Sequence, residues 1–206
     1  MSQTGHMIGI EGIDAVGKHT QSLLLEAWLS RSGIETEMIS FPDYETPIGN
    51  EIRAFLSGER SFLPELRHML FAANRWEKVP LIKEYLNSNK TVIVNRYSES
   101  NIVYGLANGL QMEWLMALEQ GVPKPDLVVV LDAPHTGLTS RRPGTKDSYE
   151  KDSALQLRAS ELYRELAKRF GWAIVDASGD IEAVHKSIVE VVKERTNLGR
   201  REQPRH

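Results

Sequence analysis

The sequence predicts an α/β fold, a three-layer sandwich in which helices cover both faces of a five-stranded parallel sheet. Three observations carry this prediction: five short β-type runs, helical patterns of about ten residues or more between them, and the Val- and Ile-rich composition of three of these runs, which do not alternate with polar residues. Strands buried on both faces have this continuous apolar composition. The predicted strands are Met7–Gly12, Thr36–Phe41, Thr91–Asn95, Asp126–Asp132 and Trp172–Asp176, and the last three carry the Val- and Ile-rich composition.

Helical periodicity fills the intervals between the predicted strands. Lys18–Ser32 places leucines and a tryptophan at i, i+4 spacing, and Gly33 follows as a C-cap. Pro64–Ser88 is a longer pattern, in which Pro80 predicts a kink or a division because proline removes a backbone hydrogen bond. The remaining predicted amphipathic helices are Ser153–Phe170 and Ile181–Arg195.

Length and composition fit one domain that comprises residues 1–206. The chain carries 25 Lys and Arg against 28 Asp and Glu, a formal charge of −3, whereas a duplex-binding protein usually carries a basic excess. The absence of cysteine excludes disulfides, thiolate metal sites and cysteine nucleophiles. No apolar run approaches the roughly 20 residues that span a bilayer, and the polar start MSQTGHM lacks the apolar core of a signal peptide. We therefore expect a cytoplasmic protein with no nucleic-acid or membrane partner.

Two polar segments depart from the alternation of strands and helices. Residues 141–152 (RRPGTKDSYEKD) contain Pro, Gly and many charges but almost nothing apolar, so they cannot contribute to a core. Two interpretations stay open for them: a surface loop, and a mobile lid over a polyanionic ligand. The tail from Asn197 to His206 is polar and basic, and we expect a frayed, solvated end rather than a nucleic-acid arm.

The strongest functional signal is a GxxxxGK motif between the first predicted strand and the first predicted helix. In a strand–loop–helix unit of this kind, backbone N–H groups surround phosphate oxygens and the helix N-terminus adds partial positive charge. The lysine reaches the β- and γ-phosphates. An accidental match in a glycine-containing turn is the alternative, and the flanking strand and helix make it rare. The motif, called the phosphate loop below, comprises Gly12, Ile13, Asp14, Ala15, Val16, Gly17 and Lys18.

The residues that follow this motif depart from the usual pattern for binding Mg²⁺. The next residue is ordinarily Ser or Thr, whose hydroxyl ligates the ion, whereas here it is His19, with Thr20 one place further on. Neighbouring helix positions point about 100° apart, so Thr20 does not simply replace the missing hydroxyl. Because Mg²⁺ prefers oxygen ligands to an imidazole, we expect phosphate oxygens, waters and a carboxylate elsewhere to hold the metal.

Six segments together resemble the thymidylate kinase family of P-loop nucleoside-monophosphate kinases, and the resemblance runs from about Met7 to Val192. The segments are 11–18 (EGIDAVGK), Phe41-Pro42-Asp43, 70–77 (LFAANRWE), Asn95-Arg96-Tyr97, 123–126 (PKPD) and Ser148-Tyr149-Glu150. The resemblance implies a P-loop NTPase fold of the nucleotide-kinase type with a lid. It also implies transfer of the γ-phosphoryl group of ATP to dTMP, giving dTDP for dTTP synthesis, together with a requirement for Mg²⁺ and a homodimer.

The acceptor site that the resemblance implies includes one helix face. Phe71 and Arg75 are i and i+4 and therefore share that face. In the family the ring lies against thymine and the arginine donates to a carbonyl of the base, whereas a core aromatic is the alternative for Phe71 alone. The family further uses Arg96 on the acceptor phosphate and Tyr149 against the 2′ carbon of the sugar. The implied dTMP-binding set is Asp14, Pro42, Tyr44, Phe71, Arg75, Arg96, Asn101, Tyr104 and Tyr149.

The resemblance assigns catalytic roles to Asp14, Lys18, Arg96 and Arg142. Some relatives carry a catalytic arginine inside the phosphate loop, which has none here. Arg142 of the charged segment is therefore the candidate that neutralises the transferring phosphoryl group. The implied ATP-binding set is Gly12, Ile13, Asp14, Ala15, Val16, Gly17, Lys18, His19, Thr20, Arg141 and Ser178.

Asn95 stands where the family has the aspartate of its Asp-Arg-Tyr triplet, so together with His19 it removes the usual Mg²⁺ ligands at two positions. Asp14 and Glu150 are the carboxylates that we nominate for the metal. Two alternatives stay open at this point. One is a kinase for another pyrimidine deoxynucleotide such as dUMP, and the other is a nucleotide-binding module with weakened catalysis.

Overall fold

A parallel sheet organises the fold, as predicted. The computed structural model describes residues 5–134, 149 and 152–199. Within these ranges the strands are β1 (Met7–Glu11), β2 (Thr36–Ser40), β3 (Thr91–Asn95), β4 (Leu127–Asp132) and β5 (Ala173–Asp176). Their order is β2-β3-β1-β4-β5 and every pairing is parallel. The register places Ile10 beside Asn95 and Glu11 beside Val130, so the carboxyl ends of the three central strands meet at one edge.

Helices cover both faces of this sheet and complete the predicted three layers. On β3, Val92 and Val94 belong to one apolar cluster, which includes α3, and Ile93 belongs to the other. This alternation is the expected result of the period-2 geometry of a strand. The described helices are α1 (Lys18–Arg31), α2 (Pro47–Ser57), α3 (Pro64–Asn87), α4 (Ser98–Ala107), α5 (Met112–Leu118), α6 (Ser153–Phe170) and α7 (Ile181–Arg195).

Side-chain caps fix where three of these helices begin. Thr46 Oγ1 accepts a hydrogen bond from the backbone N–H of Gly49 (3.0 Å) at the start of α2. Asp152 caps α6 and Asp180 caps α7 in the same way, with N–H to carboxylate distances of 3.0 and 2.8 Å. Each cap satisfies a backbone donor that has no partner inside its helix.

The structure corrects two expectations and narrows a third. Of the kink or division predicted at Pro80, the division does not occur, because α3 continues through Pro80. β5 begins at Ala173 rather than Trp172, and it alternates, with Ala173 and Val175 buried and Ile174 exposed, because an edge strand has one uncovered face. Leu198, which the sequence places in a frayed tail, is buried, and its backbone N–H donates to Thr196 Oγ1.

Periodicity alone does not delimit the shorter helices. α2, α4 and α5 lie between the longer predicted patterns, and α5 has seven residues, fewer than a periodic pattern needs to be recognised. None of the helices in the described ranges combines the length and the apolarity that crossing a bilayer requires. Most of the predicted lid, 141–152, and residues 200–206 lie outside the described residues.

Candidate active site

The carboxyl edge of the sheet opens into a cavity of about 820 Å³, called the central cavity below. Ligands of open parallel sheets bind at this edge because the loops that follow the strands converge there. Of the predicted site residues, those that line the cavity are Asp14, Ala15, Gly17, Lys18, His19, Thr20, Pro42, Tyr44, Phe71, Arg75, Arg96, Asn101, Tyr104 and Tyr149. Most of the site residues predicted from the sequence therefore lie together around one cavity.

Other predicted residues are placed elsewhere. The side chains of Ile13 and Val16 are buried in the apolar core, so they can contribute to a phosphate site through their backbone. Ser178 lies in the loop after β5, where its backbone N–H donates to Asp176 Oδ1 (2.9 Å), and it is not part of the cavity wall. Gly12 is also absent from that wall. Arg141, Arg142 and Glu150 lie outside the described residues.

The backbone conformation of the phosphate loop requires glycine at two positions. Gly12 has a φ of +135°, and a Cβ there would lie 2.5 Å from the carbonyl oxygen of Leu131, so the close approach of β4 excludes a side chain. Gly17 has a φ of +101° immediately before α1 begins. The Lys18 ammonium donates to the carbonyl oxygen of Ile13 (2.7 Å) and thus lies across its own loop.

An ion pair between Asp14 and Arg96 forms the charged centre of the cavity. Arg96 Nη2 donates to Asp14 Oδ1. The guanidinium also lies 5.5 Å from the ring centroid of Tyr104, close enough for a cation–π contact. Arg96 has a φ of +60°, which an arginine rarely adopts, and its backbone N–H donates to the carbonyl of Ile10 (3.1 Å) at the end of β1.

The electrostatic surroundings keep the Asp14 carboxylate ionised. Burial acts to raise the pKa of Asp14, but the charges of Arg96 and Lys18 and the hydrogen bonds from Gln156 and Arg96 outweigh it and lower the pKa from 3.8 to about 2. Burial likewise disfavours the Arg96 charge, while the Asp14 carboxylate raises the pKa of Arg96 well above its usual value. Both groups are therefore charged at neutral pH.

Gln156 of α6, which is not among the predicted site residues, completes this centre. Its Nε2 donates to Asp14 Oδ2 (2.7 Å) and to the carbonyl of Tyr149 (3.1 Å). Its Oε1 accepts from the backbone N–H of Asp14 (3.1 Å), and the Tyr104 hydroxyl lies 3.2 Å away. Gln156 is buried on α6 together with Ala159, and a buried glutamine requires hydrogen-bond partners. In the sequence it is one polar residue of an amphipathic pattern, which gives no signal of its burial.

A second unpredicted residue, Glu11, joins the elements around the cavity. This carboxylate at the end of β1 is fully buried. It accepts hydrogen bonds from the backbone N–H of Tyr97 (2.7 Å), the hydroxyl of Ser100 (2.6 Å) and the hydroxyl of Tyr163 (2.8 Å). Glu11 thereby fixes the start of α4 and the middle of α6 against β1. Because Arg96 immediately precedes Tyr97, these hydrogen bonds also keep Arg96 beside the phosphate loop.

Aromatic rings form one wall of the cavity. The rings of Tyr149 and Tyr104 are stacked, with centroids 5.7 Å apart and planes 25° apart. Phe71 lies 6.3 Å from Tyr149, and Phe55 contacts the same ring edge-on at 5.8 Å. Flat apolar walls of this kind suit a planar heterocycle, which can stack on an aromatic face.

Arg75 is held by Glu119, which is not among the predicted site residues. Its Nε donates to Glu119 Oε2 (2.9 Å) and its Nη2 donates to Glu119 Oε1. Both side chains are buried, and Asn101 Nδ2 donates to the same carboxylate (2.7 Å). Arg75 thus reaches the cavity already fixed in place by a charge-assisted bidentate pair.

The predicted 70–77 segment also contains a residue that supports the loop after β2. Asn74 is buried; its Oδ1 accepts from the backbone N–H of Asp43 (2.8 Å), and its Nδ2 donates to Thr46 Oγ1 (2.8 Å). Lys78 pairs with the Asp43 carboxylate at 2.7 Å. These bonds hold the 41–46 loop, which carries Pro42 and Tyr44, against the cavity.

The described residues contain no cluster of three or more His, Asp or Glu side chains that could hold a metal ion. The oxygens of Asp14 already accept from Arg96 and Gln156. Asn95 lines the cavity, and its Oδ1 is buried without a hydrogen-bond partner in the described part of the chain. A neutral oxygen beside a phosphate loop fits a Mg²⁺ ion that binds mainly through phosphate oxygens and waters.

Comparison with known proteins decides the family. Residues 10–188 match the family model described as thymidylate kinase. The chain belongs to the thymidylate kinase family. It is 37 % identical to the human thymidylate kinase over 190 residues, covering 91 % of this chain and 89 % of that protein. It is 39 % identical to a probable thymidylate kinase of Thermococcus gammatolerans over 207 residues, covering 95 % and 99 %.

The fold supports the same membership. A solved thymidylate kinase from Candida albicans superposes with a TM-score of 0.84 at 30 % identity, over 94 % of this chain and 93 % of that one. As a family member the chain is a nucleoside-monophosphate kinase that phosphorylates dTMP. Neither alternative, a kinase for another deoxynucleotide or a module with weakened catalysis, is favoured by these relatives.

The depressed pKa of Asp14 predicts an acid-dependent loss of stability. A group whose folded pKa lies below its unfolded pKa stabilises the fold above the unfolded value, and that stabilisation is lost as the pH falls through the folded value. For a pKa lowered from 3.8 to about 2, this amounts to about 2 kcal/mol. Between pH 4 and pH 2 the wild-type free energy of unfolding should fall by about that much more than that of Asp14→Asn. Urea unfolding at several pH values measures both, and parallel curves would contradict the assignment.

Proposed function

We propose that this chain transfers the γ-phosphoryl group of ATP to dTMP, with the two nucleotides bound end to end in the central cavity. One observation carries the proposal: the phosphate loop and an aromatic wall line one continuous cavity, with Asp14 and Arg96 also on its wall. The aromatic wall suits the thymine ring, and the phosphate loop suits the triphosphate.

The proposed roles follow from charge and position. Arg96 is a rigid cation on the cavity wall, and we assign it to the acceptor phosphate, whose oxygen attacks the γ-phosphorus while ADP leaves. Lys18 exchanges the Ile13 carbonyl for the β- and γ-phosphate oxygens of ATP. Asp14, held by Gln156, is placed to accept from the sugar 3′-hydroxyl. Catalysis is then positioning and charge stabilisation, without a covalent intermediate.

Three proposed residues belong to the segment outside the described residues. Arg142 neutralises charge on the transferring group, Arg141 packs on adenine, and Glu150 contributes to the metal site. Ser178 stays a proposed neighbour of adenine.

The Mg²⁺ ion, when bound, supplies positive charge to the phosphate oxygens, and Asn95 and Asp14 are the described residues that we propose to face it. A cytoplasmic location also stays a prediction, which cell fractionation tests.

A coupled assay of ADP release tests the transfer. With ATP, Mg²⁺ and dTMP we expect turnover that clearly exceeds turnover with dUMP. Arg96→Lys keeps the charge but loses the planar contact with Tyr104 and the fixed fork of donors, so kcat/KM for dTMP should fall by about a hundredfold, the typical loss for one key electrostatic group. Arg158→Lys, on the exposed face of α6, is the matched control and should retain activity. Binding of dTMP without turnover in the wild type would overturn the proposal.

Tyr149 is predicted to select the deoxyribose. Its ring is buried among Phe55, Phe71 and Tyr104, and we expect these contacts to hold it against a 2′-hydroxyl. Tyr149→Ala should therefore narrow the preference for dTMP over its ribose analogue by about tenfold, at some cost in dTMP affinity. Tyr149→Phe keeps the ring and should keep the preference. The measurement is kcat/KM for both acceptors in all three proteins, and equal ratios in Tyr149→Ala and the wild type would assign the selection to other residues.

We also propose a homodimer that forms through one face of α3. Leu66, Met69, Ala73 and Trp76, called the α3 stripe, share this face at i, i+3, i+7 and i+10. Leu66, Met69 and Trp76 are 42 %, 44 % and 44 % exposed. An apolar stripe that is continuous and exposed favours an interface, and a second copy fits the self-complementary packing of two identical helices.

The dimer predicts a change of oligomeric state on introducing a charge into this stripe. Met69→Glu lies in the middle of the stripe and should convert the protein to monomer, because an interface does not tolerate an unpaired buried carboxylate. Leu157→Glu is the matched control, since Leu157 is also exposed but lies on α6. Sedimentation equilibrium of the three proteins measures the state. A monomeric wild type, or a dimeric Met69→Glu, would contradict the proposed interface.

A further inference from the structure

The loop between β5 and α7 is attached to the rest of the fold at both of its ends. This loop, residues 177–180 and called the β5–α7 loop below, lies at the carboxyl edge of the sheet. At its start, the backbone N–H of Ala177 donates to the carbonyl of Asp132 at the end of β4 (2.7 Å). Just past its end, the carbonyl of Ile181 accepts from Gln21 Nε2 of α1 (2.9 Å). One side chain therefore ties the far end of this loop to α1.

Gln21 connects the β5–α7 loop to the helix that begins with the phosphate-loop lysine. It lies in the first turn of α1, three positions after Lys18, and is only 3 % exposed. Its neighbour Thr20 lines the central cavity, whereas Gln21 does not. The bond from Gln21 to Ile181 joins residues 160 positions apart, on elements that follow β1 and β5. It thus contributes to the spacing between the β5–α7 loop and the phosphate loop.

The Gln21 amide carries a buried oxygen that stability alone does not account for. A backbone carbonyl can only accept, so the Gln21 atom beside Ile181 is the amide nitrogen. Gln21 Oε1 is buried and has no hydrogen-bond partner within the described part of the chain. An unpaired buried acceptor costs free energy, so an apolar side chain would suit this place, which is buried on α1 together with Leu25, better than an amide. What the amide contributes here is its bond to the end of the β5–α7 loop.

The spacing of the two loops matters for a ligand that binds to both. Residues 178–180 are exposed beside the first turn of α1, and the assignments above place adenine next to Ser178 and the triphosphate at the phosphate loop. A ligand of this kind is bivalent, and its affinity depends on two elements that are held at the distance its own length spans. Inorganic triphosphate, by contrast, occupies the phosphate loop alone and does not depend on that distance.

We propose that Gln21 is a positioning residue for the donor nucleotide, because it holds the β5–α7 loop at the distance from the phosphate loop that ATP spans. The proposal rests on the proposed function, since it takes this loop as the neighbour of adenine. The role concerns the donor only. The residues assigned to dTMP, such as Phe71 and Arg96, lie on α3 and after β3, and neither belongs to the β5–α7 loop.

Gln21→Met tests the role, because methionine keeps the length and approximate volume of glutamine but cannot donate to Ile181. Calorimetric titration with ATP and Mg²⁺ should show an affinity about five- to tenfold lower, the effect of losing one hydrogen bond. The affinity for inorganic triphosphate and the KM for dTMP should stay as in the wild type. Ser22→Ala is the matched control, since it removes a buried hydroxyl that donates to the Lys18 carbonyl (2.9 Å) in the same part of α1. It should leave the ratio of ATP affinity to triphosphate affinity unchanged.

Stability separates positioning from a merely structural role. Gln21→Met also removes the unpaired oxygen, so its free energy of unfolding in urea should equal or exceed that of the wild type. An unchanged ratio of the two affinities, or a less stable variant that binds both ligands equally weakly, would overturn the proposal. If Gln21→Met does not fold, Gln21→Asn, whose amide is one methylene too short to reach Ile181, should lose affinity for ATP but not for triphosphate. Failure of the wild type to phosphorylate dTMP would instead overturn the proposed function, and the ratio would still be measurable.

Discussion

The arrangement of the active site depends on one buried carboxylate, Glu11. Taking a charge out of water costs several kcal/mol unless hydrogen bonds replace the lost hydration. Glu11 receives three of them, from a backbone N–H before α4 and from hydroxyls on α4 and α6. The requirement to satisfy this charge therefore ties β1 to two helices that are far apart in the sequence. The phosphate loop follows Glu11 directly, and Arg96 lies next to Tyr97, so both are placed by the same constraint.

Near Glu11, the polar side chains around the central cavity hold one another in place through ion pairs and hydrogen bonds. Asp14 balances Arg96, Gln156 holds Asp14, and Glu119 holds Arg75. Each is a buried or partly buried polar or charged group whose partner is fixed by the fold, which is how a site keeps its geometry before a ligand arrives. The lowered pKa of Asp14 and the raised pKa of Arg96 result from the opposite charges of the two groups.

Much of the fold was predictable because local patterns determine it. The Val- and Ile-rich runs became β3, β4 and β5, and the phosphate loop lies where a strand, a GxxxxGK motif and a helix meet. The family resemblance likewise selected residues that the structure gathers on one cavity. Glu11, Gln156 and Glu119 could not be found in this way, since their partners are distant in sequence and a charged or amide residue in an amphipathic pattern looks solvent-exposed. At Pro80 the sequence left a kink and a division open, and the structure excludes the division, since one helix runs from Pro64 to Asn87.

The mutual satisfaction of polar groups has a consequence for the energetics of ligand binding. In the proposed complex, a nucleotide that enters this cavity mostly exchanges hydrogen bonds that the protein already makes, as when a phosphate oxygen takes the Lys18 ammonium from the carbonyl of Ile13. Exchanges of this kind contribute little net free energy. The gain in affinity then comes mostly from apolar area, at the rings of Phe71, Tyr104 and Tyr149, while the polar contacts penalise ligands that cannot make the exchange. Strength and discrimination of binding thus reside in different side chains.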